Sequence, residues 1–316
     1  MRTLVKFFQW FIVLSLLIAC SKTGDFFEGE MPAPENGYET DHARKGLGLD
    51  QDRYITMKST GLKIHYRIIG KGPINIVFIP GLTNPHTVFT KQFEYFRDKA
   101  KCIYIDLPGH GLSDAPQGIE YTMGLLADAV YDVIKKEGVH RFVGVGFSMG
   151  PVVLGQFELK HPGMMYKLIN LDGGFTVWPT EDPERAAFIA WRDNYVNIIL
   201  SLDRATKELA ISLSMATAPN DLKEWVLYYL DYPNWLEANI WYNLTAEEVN
   251  QPIGWSMPIL LIRTRPIQNM ALVQLNFPDA DFHIMEGSGH VVQWERADDV
   301  NALIDEFVSD RPGKKY

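Results

Sequence analysis

From residue 73 onward, short apolar runs alternate with stretches of helical period. The runs "INIVFIPG", "KCIYIDLPG", "RFVGVGFS", "YKLINLDGG", "MPILLIRT" and "DFHIMEGSGH" are short and rich in strand-forming residues, and they end in Gly, Pro or polar residues, as strands do. Between them, helices are expected near residues 88–99, 122–137, 151–160 and 269–275, with a last amphipathic helix near 297–308. The alternation predicts an α/β domain with a mostly parallel sheet and helices on both faces. Ahead of it, "YITMKS" and "LKIHYRIIG" alternate apolar and polar positions around Thr60-Gly61, which predicts an antiparallel hairpin.

Between residues 175 and 255 this alternation stops. Helical segments take over, carrying Trp178, Trp191, Tyr195, Trp225, Tyr228, Tyr229, Trp235, Trp241 and Tyr242. They are expected to form an inserted helical cap, leaving 51–174 and 256–316 as the α/β core. The N-terminal residues follow a different logic. Arg2 and Lys6 precede an apolar run from Trp10 to Cys20, the layout of a signal peptide over residues 1–19. The run is short for a membrane span, which takes about 20 residues. Its ending, Leu17-Ile18-Ala19-Cys20, resembles a bacterial lipobox. That resemblance implies lipidation at Cys20 and attachment to the bilayer of a bacterial cell envelope, facing the periplasm or exterior. A plain secretory signal or an uncleaved anchor are the alternatives. Residues 20–50 are rich in Gly, Pro and acidic side chains without a sustained period and read as a tether.

With 39 acidic against 30 basic residues the net charge is -9, and no Lys/Arg stripe with interleaved aromatics is present, so nucleic acid is not expected as a partner. Only Cys20 and Cys102 occur. Cys102 sits in an apolar strand run, and no disulfide framework is available.

In an open parallel sheet the chemistry gathers where strands end, and four such ends stand out. "VGVGFSMG" sets Ser148 between two glycines at the junction of a strand and a helix, the context of a nucleophile elbow, with the Met149 N–H aimed where an oxyanion would form. "FIPGLTN" turns sharply at Gly81 and offers the Leu82 N–H as a second oxyanion donor. "DLPGHGLSDAP" is a polar loop whose His110, wedged between glycines, reads as a packing residue. "EGSGHVVQWE" presents His290, an imidazole able to take a hydroxyl proton and return it to a leaving group.

These four motifs, in this order and spacing over about residues 52 to 312, resemble the α/β-hydrolases. The resemblance implies Ser148 as nucleophile, His290 as base, Met149 and Leu82 as oxyanion donors, an acyl compound as the small-molecule substrate, and no cofactor or metal. Many members have His-Gly where this chain has Pro80-Gly81, which spares the backbone donor and removes a side chain that helps hold the oxyanion loop. Epoxide hydrolases and haloalkane dehalogenases of this fold carry aspartate at the elbow, so the serine implies acyl transfer to water.

The acid is missing from its usual place, so either it has moved or the triad is broken. Members commonly carry Asp after the seventh strand, but here "PILLIR" is followed by Thr264-Arg265-Pro266-Ile267-Gln268-Asn269. Asp279 and Asp281 precede the last strand, at the wrong end of the sheet, and Glu286 lies too near His290 in sequence to approach its ring from behind. Asp172 in "LINLDGG" falls at the carboxyl end of the strand after the elbow helix and keeps the order Ser148, Asp172, His290. It is the expected acid, with Asn269 or Gln268 as a neutral alternative. The expected function is hydrolysis of a small or medium carboxylic ester. A catalytically impaired binding protein and a C–C bond hydrolase are the competing readings.

Overall fold

The computed structural model describes residues 50–173, 183–214, 228–244, 257–266, 274 and 277–309. The residues expected to form a signal peptide and tether, including Cys20, lie outside the described residues. So do Gln268 and Asn269, the helix expected near 269–275 apart from residue 274, and Trp178 and Trp225 of the expected cap.

Eight strands form one sheet: β1 (Asp50–Thr56), β2 (Lys63–Ile69), β3 (Ile74–Ile79), β4 (Ala100–Ile105), β5 (Phe142–Phe147), β6 (Met165–Leu171), β7 (Ile259–Arg263) and β8 (Asp281–Ile284). Their spatial order is β1-β2-β4-β3-β5-β6-β7-β8. The predicted hairpin is β1 and β2, paired antiparallel with Thr56 opposite Lys63. β2 is also antiparallel to β4, and every pairing from β4 through β8 is parallel.

Side chains of the central strands alternate between two cores, as the pleat requires. Val77, Ile79, Ile103 and Ile105 join one cluster with residues of α2 (Met123–Lys136) and α3 (Gly150–Lys160). Ile76, Phe78, Cys102 and Tyr104 join the other with α1 (Thr90–Phe96) and residues of the C-terminal segment. The helix expected near 88–99 divides into a 3-10 turn at His86–Phe89 and the shorter α1. Helix α2 begins where Thr122 Oγ1 accepts the Leu125 N–H at 3.1 Å, a cap that its side chain is suited to make.

Among the described residues between β6 and β7 lie the helices α4 (Glu184–Ser201), α5 (Arg204–Ser214) and α6 (Asn234–Asn243). Leu236 and Ile240 of α6 pack into the core cluster beside α2, and Asn239 accepts the Tyr121 N–H at 3.0 Å. Among the described residues after β8 lie the helices α7 (Val292–Glu295) and α8 (Ala297–Ser309). The four-residue α7 is too short to leave a periodic signal in the sequence.

Candidate active site

The valine-rich run of β5 breaks its pattern with glycines because a helix comes back over it. A Cβ on Gly146 would lie 2.5 Å from the Pro151 nitrogen, and one on Gly144 would lie 3.1 Å from Leu154 Cδ1. A Cβ on Gly150 would lie 2.3 Å from the Ile79 carbonyl oxygen. Only glycine therefore lets α3 start directly against the sheet. Ser148, at the tip of that turn, has φ 54°, a left-handed conformation that costs a non-glycine residue about 1 to 3 kcal/mol and survives where surrounding structure dictates it. Its backbone is tied by the Ser148 N–H donating to Leu171 O at 3.1 Å.

The carboxyl ends of the neighbouring strands bring two more groups to this serine. Nε2 of His290 lies 3.0 Å from Ser148 Oγ, and Nδ1 lies 2.7 Å from Asp172 Oδ2. Asp172 directly follows β6 and also has positive φ, 48°, with its N–H donating to Ile262 O at 2.8 Å. Its carboxylate accepts from the Thr264 N–H at Oδ1 and from Thr264 Oγ1 at Oδ2, each at 3.0 Å, and Arg263 Nε stands 3.7 Å from Oδ1. Burial pushes the Asp172 carboxyl up. The His290 hydrogen bond, the charges of His290 and Arg263 and the Thr264 N–H outweigh it and hold the group at about 2. An ionised Asp172 keeps the proton on Nδ1, which leaves Nε2 free to accept one from the serine.

Thr264, directly after β7, holds the carboxylate that comes from β6. Nothing in the sequence spacing marks that role. The His290 loop is itself fixed by the Gly289 N–H donating to Glu295 Oε2 at 2.7 Å. Neither Asp281, which pairs beside Leu260 and approaches His283 at 3.1 Å, nor Glu286 is brought to His290.

Leu82 and Met149 flank the serine. A Cβ on Gly81 would meet Ser148 Cβ at 2.8 Å, so the loop leading to Leu82 touches the nucleophilic turn. Met149 is the residue on which α3 starts. Among the described residues neither the Leu82 nor the Met149 N–H meets a backbone acceptor. His110 is buried, its Nδ1 lying 3.0 Å from Pro108 O, and burial pushes its imidazole down to about 4.

The aromatic residues of the inserted segment do not all face a ligand. Trp191 and Tyr195 stack at 5.5 Å, and Trp241 meets Tyr195 edge-on at 5.2 Å, so these three pack one another. The described residues also contain a buried cluster that the sequence does not announce, His65, His86 and Asp106. Its members are scattered through the sequence on three segments, so no local motif joins them.

A parallel sheet with an elbow serine after its fifth strand, and a histidine and a carboxylate at the ends of later strands, defines the α/β-hydrolase class. Residues 76–303 match the model of the Alpha/beta hydrolase family, and the chain belongs to that family. Among curated proteins it is 32% identical over 125 residues to Epoxide hydrolase 3 of Xenopus tropicalis, a match covering 39% of this chain and 34% of that protein. It is 27% identical to the 2-hydroxy-6-oxononadienedioate/2-hydroxy-6-oxononatrienedioate hydrolase of Burkholderia vietnamiensis, over 81% of this chain and 95% of that one. Among solved structures it is similar to an esterase from Exiguobacterium antarcticum, with a TM-score of 0.68 at 18% identity over 82% of this chain and 100% of the other. At that identity the likeness is one of fold.

Proposed function

We propose that the protein is a serine hydrolase that cleaves a small or medium carboxylic ester, or a related acyl compound, through an acyl-enzyme on Ser148. The observation that carries this reading is the continuous contact from Ser148 Oγ through His290 to Asp172, 3.0 Å and 2.7 Å. In the first half-reaction Ser148 Oγ attacks the acyl carbon while His290 Nε2 takes its proton. The negative charge gathered on the carbonyl oxygen is met by the N–H groups of Leu82 and Met149. Collapse of this intermediate breaks the bond to the alcohol, which leaves with the proton from Nε2. Water then repeats the sequence on the acyl-serine and releases the acid. Asp172 stabilises the imidazolium that forms twice per turnover.

The serine also separates this reading from epoxide opening, the activity in the name of the Xenopus relative. Attack of a serine oxygen on an epoxide carbon produces an ether, which water and a histidine do not hydrolyse. Attack on an acyl carbon produces an ester, which they do. A second reading, hydrolysis of a C–C bond next to a carbonyl, uses the same serine and differs in the leaving group. The near full-length match to the Burkholderia hydrolase favours keeping it. At the N-terminus, Cys20 carries a lipid anchor that tethers the domain to the bacterial cell envelope.

Exposure to a fluorophosphonate probe tests the reading, because a binding protein without an activated serine does not react with it. Stoichiometric labelling of the wild type, loss of labelling and of p-nitrophenyl ester turnover in Ser148→Ala, and an intact circular dichroism spectrum are expected. Undiminished labelling in Ser148→Ala would overturn the assignment.

A further inference from the structure

We propose that Asp106, locked between His65 and His86, is a positioning residue for this reaction: it holds the loop from Gly81 to Pro85 in the conformation that keeps the Leu82 N–H beside Ser148. The proposal rests on the acyl-transfer reading, which requires a second oxyanion donor.

The loop needs holding. Thr83 has φ 62°, and a β-branched residue in the left-handed region is a steric outlier that relaxes unless its surroundings forbid it. The residue before Gly81 is Pro80, whose side chain offers no hydrogen bond. Within the loop the Asn84 N–H donates to Gly81 O at 3.2 Å, which closes one turn without fixing it to the rest of the fold. The next attachment to another element is His86, the first residue of the 3-10 turn. Its backbone N–H donates to Asp106 Oδ1 at 2.6 Å, and its Nδ1 lies 3.1 Å from both carboxylate oxygens.

Asp106 follows β4 and is itself fixed from every side. His65 Nδ1 reaches Oδ2 at 2.7 Å, and the Leu112 N–H donates to Oδ2 at 3.0 Å. His65 Nε2 lies 3.2 Å from Asp52 Oδ1. A Cβ on Gly111 would lie 2.1 Å from the carboxylate carbon, so the loop beyond wraps tightly around it. Burial pushes the Asp106 carboxyl up, yet the neighbouring imidazoles hold it far below the usual range. Burial pushes His65 down, and Asp106 with Asp52 raises it to about 9. The carboxylate is thus charged, dry and without freedom to turn.

The far side of the same turn is braced from the segment that follows His290. Trp294 Nε1 donates to Val88 O, and Gln92 Nε2 donates to Gln293 O at 3.0 Å. One short piece of chain, 86–92, therefore links the oxyanion loop to the helix beside the base. The two imidazoles and the carboxylate are also a ligand set for a divalent cation. Their contacts of 2.7 and 3.1 Å are those of hydrogen bonds, shorter than the separation of about 3.3 Å between two nitrogen or oxygen ligands of one tetrahedral zinc.

The test uses two variants, because Asp106→Asn changes a buried charge and is the one at risk of misfolding. His86→Phe keeps a ring against Phe93, which His86 stacks upon at 6.1 Å, and removes Nδ1. Three quantities are measured: kcat per fluorophosphonate-titrated site, the inhibition constant of phenylboronic acid, and amide hydrogen exchange of residues 80–88 against 143–150. In each folded variant kcat per site should fall about 10- to 100-fold with KM within about threefold, and boronate binding should weaken in proportion. Exchange of 80–88 should quicken about tenfold or more while 143–150 keeps its protection. A merely structural role would lower the active fraction and leave kcat per site unchanged, which overturns the proposal. Unchanged exchange of 80–88 overturns it too, and so does a zinc ion in the wild type that is absent from His86→Phe. If wild-type Ser148 takes no probe, the acyl-transfer reading fails by itself, and the exchange comparison still decides whether Asp106 holds the loop.

Discussion

Asp172 precedes His290 by 118 positions, and its Oδ2 lies 2.7 Å from the imidazole Nδ1. The carboxylate comes from the end of β6, while the end of β7 supplies Thr264 and Arg263, which hold it from the far side. The exchange of roles has a simple physical basis. The two strands are parallel neighbours, with Leu171 opposite Ile262, so their ends open onto the same space behind the histidine.

Changing Asp172 to Asn should lower kcat by about 10² to 10⁴ with KM little altered, because the acid stabilises the imidazolium of the transition state and does not touch the ester. Steady-state kinetics on one p-nitrophenyl ester at pH 8, with folding checked by circular dichroism, measures it. A variant that keeps most of the wild-type rate would show that the carboxylate contact is not used in catalysis.

Thr264→Val tests the support of that acid. Valine keeps the volume and the backbone donor but removes the Oγ1 contact to Oδ2, 3.0 Å, so the charged oxygen is left with His290 alone. A lost hydrogen bond to a charged group is worth about 1 to 3 kcal/mol, and urea unfolding at pH 7 should register a loss of this order. Because Asp172 titrates at about 2 in the folded protein against an ordinary aspartate value of 3.8, its stabilising contribution is present above about pH 4 and is lost as pH falls through 2. The gap between valine variant and wild type should therefore narrow in acid. An equal gap at pH 7 and pH 2.5 would assign the effect to packing.

What the sequence made legible here is what a strand end displays. Ser148 and Asp172 each follow an apolar run directly, His290 follows the last strand after a short loop, and all three sit beside glycines, so their place at the carboxyl edge is readable without knowledge of the strand pairing. The supports were not legible, because they depend on which strand lies beside which. Thr264 has no feature of its own that distinguishes it from any threonine after a strand. His65 lies on β2, antiparallel to β4, and meets Asp106 only because Tyr66 pairs with Ile105. The aromatics between β6 and β7 were legible as apolar mass but not as a ligand surface, since Trp191, Tyr195 and Trp241 pack against one another.

For the N-terminal segment, Cys20→Ser should release the protein from the membrane fraction. Membrane binding by a lipidated residue comes from its buried acyl CH2 groups, so losing the acceptor thiol should move most of the protein to the soluble fraction. No helix among the described residues is long and apolar enough to cross a membrane. Ultracentrifugation of cells expressing either form reads the result directly. Retention of the serine variant with its first twenty residues intact would favour an uncleaved anchor.

Glu237 of α6 is buried in the inserted segment with Oε2 unpaired. Burial pushes its carboxyl up to about 7, and the Lys207 ammonium pulls only partly against this. Lys207 is engaged elsewhere, donating to Tyr232 O at 2.7 Å, and the hydroxyl-bearing rings of Tyr195, Tyr229 and Tyr232 are the other titratable groups that feel Glu237. A folded-state value above the unfolded one means that the folded protein holds the proton more tightly. Stability from this site is then complete below about pH 4.5 and declines as pH rises through 7, by up to about 3 kcal/mol. His65, raised to about 9, adds a decline of the same sign from pH 6.5 upward, so the wild-type curve alone does not isolate the glutamate. Glu237→Gln does, because the amide stays neutral throughout and the contribution of His65 cancels in the difference. The variant should match the wild type near pH 4.5 and exceed it at pH 8, with most of the difference appearing between pH 5 and 7. Thermal unfolding across that range, monitored in both proteins, measures it. A glutamine variant that is less stable than the wild type at pH 8 would mean that the charged Glu237 is paired with Lys207 more strongly than burial penalises it.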